Sequence, residues 1–473
     1  MKHPRIFIPI LLAICFLCCQ TNASTKIYVS SSEGNDRNSG TTIQAPLKTL
    51  SYALKKGDEI YLKRGDIFYG NIELRDKSLY AYGTGARPIL SGFKRPVKPK
   101  WKKKGRNVWR IDLSTDNFSG VDTQGSSKLN NIGCIYEYDK GLIRGHKVEH
   151  LSDLHEDWDF WQDLSKANKP EQFDYLYLYS KKNPNKLNLE FSIGVSGVTM
   201  RNATIDGIEI RGFGRHGIAA YSHTVIRNCR IDAIGGTVQV DYPRFTCLGN
   251  GIEYWVSSKE GIEDGLVEKC WVSRCYDCGM TIQGYENSPY TAKDVMIRDN
   301  MISECCYGWE DFLNNGKQYK NCVFKNNIVL NNGNVTGFGY PSKRFFYCNI
   351  LGHNHKVRNE MILEGNTFIG GNFYSASPSN GDYSSNIWRN NTFITSLGYW
   401  LLAYFTGEKD VIWLPKARGR QQDIDKASET AIQQYRKKTG DRTTTFLIKS
   451  EEEVKNLIQQ YKQRFIISHQ FSF

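Results

Sequence analysis

Four short segments start at glycine and together hold acids, a hydroxyl, an amide and aromatic rings: Gly217–Tyr221 (GIAAY), Gly251–Trp255 (GIEYW), Gly279–Gln283 (GMTIQ) and Gly308–Phe312 (GWEDF). If each is a strand, alternation turns the residue after glycine inward and the next one outward. The outward positions are then Ala219, Glu253, Thr281 and Glu310, followed two residues on by Tyr221, Trp255, Gln283 and Phe312. Stacked at strand spacing, Glu253 and Glu310 stand two steps apart, with backbones about 9 to 10 Å from each other. Inverting glycosidases hold their acid and base carboxyls roughly 6.5 to 9.5 Å apart, which leaves room for a water under the sugar. The chemistry expected is therefore hydrolysis of a polysaccharide, with Glu253 and Glu310 as the pair. Strict alternation would bury Asp311, and an unpaired buried carboxylate costs several kcal/mol. The expectation is that the strand ends or bulges there and that Asp311 joins Glu310 near the surface.

Around this pair, Trp255 and Gln283 are candidate sugar contacts, with Arg215 and His216 in the turn before Gly217. A loop before Asn250 adds Asp241, Tyr242, Arg244 and Phe245, and a second loop after Gln283 adds Glu286 and Tyr290. Loops on a rigid scaffold commonly carry binding. A different chemistry is open to the same residues: in a lyase, Arg215 would neutralise a uronate carboxylate while His216 or Tyr221 removed the C5 proton. A third reading is a glycan-binding solenoid without catalysis, in which the two glutamates are ordinary residues of a solvated strand face. Asp277, Glu263 and Asp264 could add oxygen ligands for Ca²⁺. No recognised calcium loop occurs, and Cys275 with Cys278 is a lone CxxC, so no metal or cofactor is expected.

Stacking needs an element that repeats, and the sequence contains one. IRNCRI (226–231), VEKCWV (267–272), IRDNMI (297–302), FKNNIV (324–329), FYCNIL (346–351), LEGNTF (363–368) and WRNNTF (388–393) align on Cys229, Cys270, Asn300, Asn327, Asn349, Asn366 and Asn391. A column of self-pairing polar side chains needs identical turns about 4.8 Å apart, each amide bonded to the next. Together with alternation of apolar residues inside each repeat, this predicts a solenoid of β-coils. The 17-residue step from Asn349 to Asn366 is the short one: either that coil has minimal turns or the register slips near His353 to Glu360.

Residues 1–23 read as an export signal: Lys2 and Arg5, an apolar run from Ile6 to Leu17, and Thr21, Asn22 and Ala23 before the cleavage point. The run is too short to span a bilayer, and neither Cys18 nor Cys19 follows the small residue that lipid attachment wants. The remaining chain is expected to be soluble outside the cytoplasm, secreted or periplasmic. Disulfides are permitted there, yet Cys229 over Cys270 and Cys275 over Cys305 look like buried reduced stacks. The net charge of +13 is concentrated in Lys94 to Arg106. With no nucleic-acid motif present, an acidic polysaccharide or anionic surface suits this charge better than nucleic acid. Aromatic residues at 13% suit stacking on sugar rings as well as a wide core. Nothing in the sequence speaks to oligomeric state.

Along the chain, residues 24–92 read as an N-terminal cap with the first coils, the cap being a helical turn from Pro46 to Lys55. Residues 93–190 lose the rhythm and read as a β-rich insertion that returns with YLYLYS (175–180). Residues 191–406 are regular coils. Residues 407–473 form a helical extension, with helices over Ser428 to Lys438 and Glu451 to Phe465 and with Ser450 as N-cap. The segments IYVSSSEGNDRNSGT, GDEIYLKRGDIF, DYLYLYSKKNPNKLNLEF, GVTMRNATIDGIEIRGFGRHGIA and AIQQYRKKTGDRTTTFLI resemble secreted right-handed parallel β-helix proteins of the pectate-lyase-like class. The resemblance covers most of the chain and implies an all-β, right-handed parallel β-helix of about ten coils. It does not select a reaction, because that class contains lyases, hydrolases, epimerases and members without assigned chemistry. Lyases of the class pair a Lys or Arg base with a row of calcium-holding acids, and no such row matches here residue by residue.

Overall fold

The computed structural model describes residues 24–471 apart from 115–117, 121–130, 163–174, 239–246, 285–288, 314–318, 334–337, 339–346, 354–359, 378–385 and 405–406. Residues 1–23, expected to be an export signal, and the loop residues Tyr242 and Arg244, with Asp241, Phe245 and Glu286, lie outside the described residues. The described chain winds as a parallel β-helix whose coils each give one strand to three sheets. In one coil, Ile252–Val256 belongs to sheet one, Ile262–Glu268 to sheet two and Trp271–Cys275 to sheet three, after which Cys278–Gly284 returns to sheet one. Sheet one pairs in parallel from Ile72–Arg75 to Trp400–Tyr404, and Gly407–Trp413 then closes it antiparallel. Alternation sends Ile218, Ile252, Met280, Trp309 and Ile350 into a single core that runs the length of the coils.

The glycines that open the sheet-one strands are there for space. A Cβ on Gly217, Gly251 or Gly279 would lie 2.5, 2.5 and 2.9 Å from the carbonyl oxygen of the next glycine down the stack. The corner between sheets two and three is turned without a loop. Asn228, Lys269, Asp299, Asn326 and Asn390 adopt φ of 53, 53, 56, 53 and 54°, each followed by a ladder residue. This left-handed conformation costs most L-residues about 1 to 2 kcal/mol, and Asn or Asp, which tolerate it best, stand at all of these positions except Lys269.

Inside that corner the predicted ladder forms, with one correction. Asn300 donates to Asn327 (3.0 Å), Asn327 to Asn366 (3.2 Å) and Asn366 to Asn391 (2.9 Å), while Cys270 takes the rung above through its backbone N–H on Asn300 Oδ1 (2.9 Å). Asn349 is not in this column. It lies in Cys348–His353, a sheet-one strand paired with Tyr307–Phe312, and accepts from Asn332 at 3.3 Å in a separate two-member ladder. The motif misleads because an aromatic, a polar residue and an apolar pair also suit the start of a sheet-one strand. All ten described cysteines are free and buried, in keeping with reduced stacks.

The helical turn α1 (Leu50–Ala53) buries Leu50 and Ala53 against the first coils. At the other end α2 (Gln421–Thr439) places Ala431 and Tyr435 against the core. Helix α3 (Glu451–Ser468) begins at the Ser450–Glu453 capping box and covers the outer face of sheet three, packing Val454, Phe465 and Ile466 on Trp271, Met301, Leu330, Ile369 and Ile394. Between them Thr445–Ile448 adds the last strand of sheet three. Residues 93–192 form two small, largely antiparallel sheets, and Tyr175–Tyr179 pairs within this insertion instead of returning to the solenoid. Arg274 ties the insertion down by donating to Gly141 O at 2.8 Å while pairing with Asp232. No helix among the described residues is long and apolar enough to cross a membrane.

Candidate active site

Sheet one positions the acids as alternation requires: Ala219, Glu253, Thr281 and Glu310 are successive register partners. The two glutamates are thus two coils apart, about 9 to 10 Å at the backbone, with the Thr281 hydroxyl between them. They do not lie on a solvated face. Glu253 is 5% exposed and Glu310 7%. Both corners that border sheet one carry loops, and neighbouring outward residues Cys278, Tyr307, Cys348, Leu351, Trp400 and Ala403 form an apolar cluster of their own. Buried carboxylates need compensating donors, and each glutamate has a different set.

Glu253 Oε1 accepts from Asn250 Nδ2 at 2.9 Å and from Gln283 Nε2, one coil further on. His216, one coil earlier, brings its Nδ1 to 3.8 Å from the same oxygen and has no hydrogen-bond partner at that nitrogen. Glu310 Oε2 accepts from Thr281 Oγ1 at 3.1 Å and from Cys278 Sγ at 3.2 Å. Burial, then the charges of Glu310 and Asp277, push the Cys278 thiol well above its usual pKa, so it stays a donor. Amide nitrogens only donate, whereas a hydroxyl and a thiol can donate or accept, so the two acids are held by partners of different kinds.

Asp311 departs from expectation. The strand neither ends nor bulges: Ile282, Asp311 and Gly352 stay in register, and Asp311 is fully buried. Asn386 Nδ2 donates to its Oδ2 at 2.5 Å from a later coil, so a partner 75 residues away offsets part of the cost that argued against burial. Asp311 therefore sits on the opposite side of the sheet from Glu310 and cannot share its groove. Arg215 is exposed, outside the cluster around Glu253. Glu263 and Asp264 lie on sheet two around His223, at 3.5 and 3.2 Å, so they are not brought to Glu310; Asp277 is, through Cys278 at 3.8 Å. Among the described residues no group of three or more His, Cys, Asp or Glu is arranged to hold a metal.

Beside the acids, Tyr221, Trp255 and Gln283 are partly exposed and extend the face toward the corner with sheet two. The Arg201 guanidinium lies 5.0 Å from the Tyr221 ring centre and pairs with Glu260. Next to it opens a polar cleft of about 430 Å³, lined by Arg201, Ser222, His223, Glu260, Glu263 and Lys293 among others. Burial, then the charge of Glu253, hold the Tyr221 phenol above its usual pKa. Sequence reasoning missed Asn250 and Cys278 as partners of the acids. The available signal was their place immediately before two of the stacked glycines, in Asn250–Gly251 and Cys278–Gly279.

Fold and site together define a parallel β-helix protein with a candidate carboxylate pair on one sheet. No protein-family model matches the chain, and no curated protein matches it. Among solved structures it is similar to XylC, described in complex with xylose, at 12% identity and a TM-score of 0.45, over 80% of this chain and 69% of that one. It is also similar to the GH136 lacto-N-biosidase from Eubacterium ramulus, at 13% identity and a TM-score of 0.37, over 78% of this chain and 64% of that one. The chain thus spans under two thirds of the latter's length, and likeness at this level says nothing of what this chain acts on.

Proposed function

We propose that the protein is an exported glycoside hydrolase that cleaves a polysaccharide by inversion, with Glu253 as general base and Glu310 as general acid. The observation that carries this reading is the placing of two nine-tenths-buried carboxylates on one outward column, two rungs apart, with a hydroxyl between. Glu253 takes a proton from a water, whose oxygen forms the new bond to the anomeric carbon. The bond from that carbon to the leaving sugar breaks as Glu310 gives its proton to the glycosidic oxygen. Each carboxyl ends in the other's starting state, and bulk water resets the pair. Asn250 and Gln283 hold the Glu253 carboxylate in place, while Trp255 and Tyr221 offer aromatic surface to a sugar ring beside it.

The lyase reading has less support. Burial and the charge of Glu253 disfavour Tyr221 as a base, Arg215 stands away from the buried acids, and His216 Nδ1 lies 3.8 Å from Glu253 Oε1. A panel of neutral and acidic glycans, assayed for both reducing ends and unsaturated ends absorbing near 235 nm, separates the readings. Release of reducing sugar that disappears in Glu253→Gln and in Glu310→Gln supports the pair. Unsaturated product, or full activity in either variant, defeats it, and retention on glycan gels without product would leave a binding protein.

A further inference from the structure

Sheet two has an outward face that the acid pair does not use and that no helix among the described residues covers. Its central outward column is Thr204, Val225, Leu266, Met296, Val323, Ile362 and Ile387, each in register with the next. Met296 is 37% exposed and its neighbours in the column are partly so. On sheet three the corresponding face is buried under α3. Two residues further along the same strands runs a charged column, also in register: Asp206, Arg227, Glu268, Arg298, Lys325, Glu364 and Arg389. An aliphatic stripe of six residues beside a charged rail is more than scattered surface apolarity.

We propose that this face docks on the same face of a second copy of the chain. The two solenoids run antiparallel, with a two-fold axis along the strand that bears Met296. Such a rotation reverses the order of the coils and sets each column against itself. Arg389 then faces Asp206 of the partner subunit, Glu364 faces Arg227 of the partner subunit, and Lys325 faces Glu268 of the partner subunit. All three independent facings are of opposite sign, and symmetry makes them six. Arg298 falls on the axis, where each copy is already held by its own Glu268 at 2.7 Å. In the stripe Met296 meets itself, while Leu266 meets Val323, Val225 meets Ile362 and Thr204 meets Ile387, so apolar atoms meet apolar atoms throughout.

The rail is also paired within each chain, Arg227 with Asp206 at 2.9 Å and Lys325 with Glu364 at 3.5 Å. Exposed pairs of this kind contribute little and can be shared with a partner. Arg389, at the end of the rail, makes no ion pair among the described residues and is exposed. Seven strands at 4.8 Å and five residues of width give a contact of about 500 Å² on each copy. Standard interfaces bury about 800 Å² per partner, so this contact falls in the size range of weak, transient associations.

Sedimentation velocity on the full chain, from about 1 to 200 µM and at low and high salt, tests this. The expected result is a monomer–dimer equilibrium that shifts toward monomer as salt rises. Met296→Asp puts two like charges face to face on the axis and is expected to leave only monomer, whereas Met296→Leu keeps the dimer. Arg389→Glu, at an exposed position where folding is not at stake, is expected to weaken association about tenfold. Wild-type chain that stays monomeric across the range overturns the proposal. So does a dimer indifferent to Met296→Asp and Arg389→Glu, or an assembly larger than two.

Discussion

Two columns of polar side chains run along the same solenoid, and they are built on opposite plans. The ladder column at the corner of sheets two and three points inward and repeats one residue type, so each Asn amide finds its match one coil away. The acid column of sheet one points outward and never sets like beside like: Ala219, Glu253, Thr281 and Glu310 follow one another. The backbone spacing is the same in both, so geometry alone does not separate them. A column of like amides saturates itself and becomes structure. In a mixed column each acid must recruit donors from different places, Asn250 and Gln283 for one, Thr281 and Cys278 for the other. That leaves two carboxyls in different surroundings on one face, the kind of arrangement acid–base chemistry uses. The corners differ accordingly: the ladder corner is turned in two residues, whereas the corners of sheet one range from two residues between Cys275 and Cys278 to the long segment between Ile234 and Ile252.

The largest effects should fall on opposite properties in the two columns. Glu253→Gln or Glu310→Gln should lower kcat by about 10²- to 10⁴-fold while denaturant midpoints change little, read by reducing-sugar release and by urea titration. Asn327→Leu should do the reverse. It removes the partner of the Ile297 carbonyl and of two Asn300 N–H donors, three buried groups at about 1 to 3 kcal/mol each, for a total of roughly 3 to 9 kcal/mol. Activity per folded molecule should be unchanged. Equal loss of rate and stability in both variants would erase the distinction between the columns.

Asp311 tests the same line from inside one strand, since it neighbours Glu310 in sequence but faces the core. Asp311→Ala should cost about 2 kcal/mol, by leaving the Asn386 amide without its acceptor, and should spare kcat in the folded fraction. A loss of rate as large as that of Glu310→Gln would return Asp311 to the acid group.

The coils, the ladder and the facing of the two glutamates were legible in the sequence because each depends on short-period alternation and on a repeated residue type, both local properties. Asn349 was misplaced because its hexapeptide matches the ladder motif while its strand pairs with Tyr307–Phe312; register between distant strands is not written in either one alone. Asp311 was placed at the surface because nothing near it could satisfy a buried carboxylate, and its donor, Asn386, arrives only when later coils have wound past. The burial of Glu253 and Glu310 was equally invisible, since it comes from neighbours contributed by other coils. Seen the other way, the donors Asn250 and Cys278 were adjacent in sequence to glycines already singled out, and only their chemistry toward the acids went unread.

The smallest effect isolates the hydroxyl between the acids. Thr281 is fully buried, donates to Glu310 Oε2 at 3.1 Å, and is the register partner of both glutamates. Thr281→Val keeps the shape and removes the donor, so Glu310 loses one neutral hydrogen bond, worth about 1 kcal/mol. If Glu310 acts as the acid, that bond stabilises its ionised product and its loss should lower kcat by roughly fivefold. The alkaline limb of the rate profile should also move to higher pH, because a carboxyl deprived of a donor holds its proton more tightly. Should the acidic limb move instead, with the alkaline limb fixed, Glu310 would be the base and the assignment of roles across the column would have to be reversed.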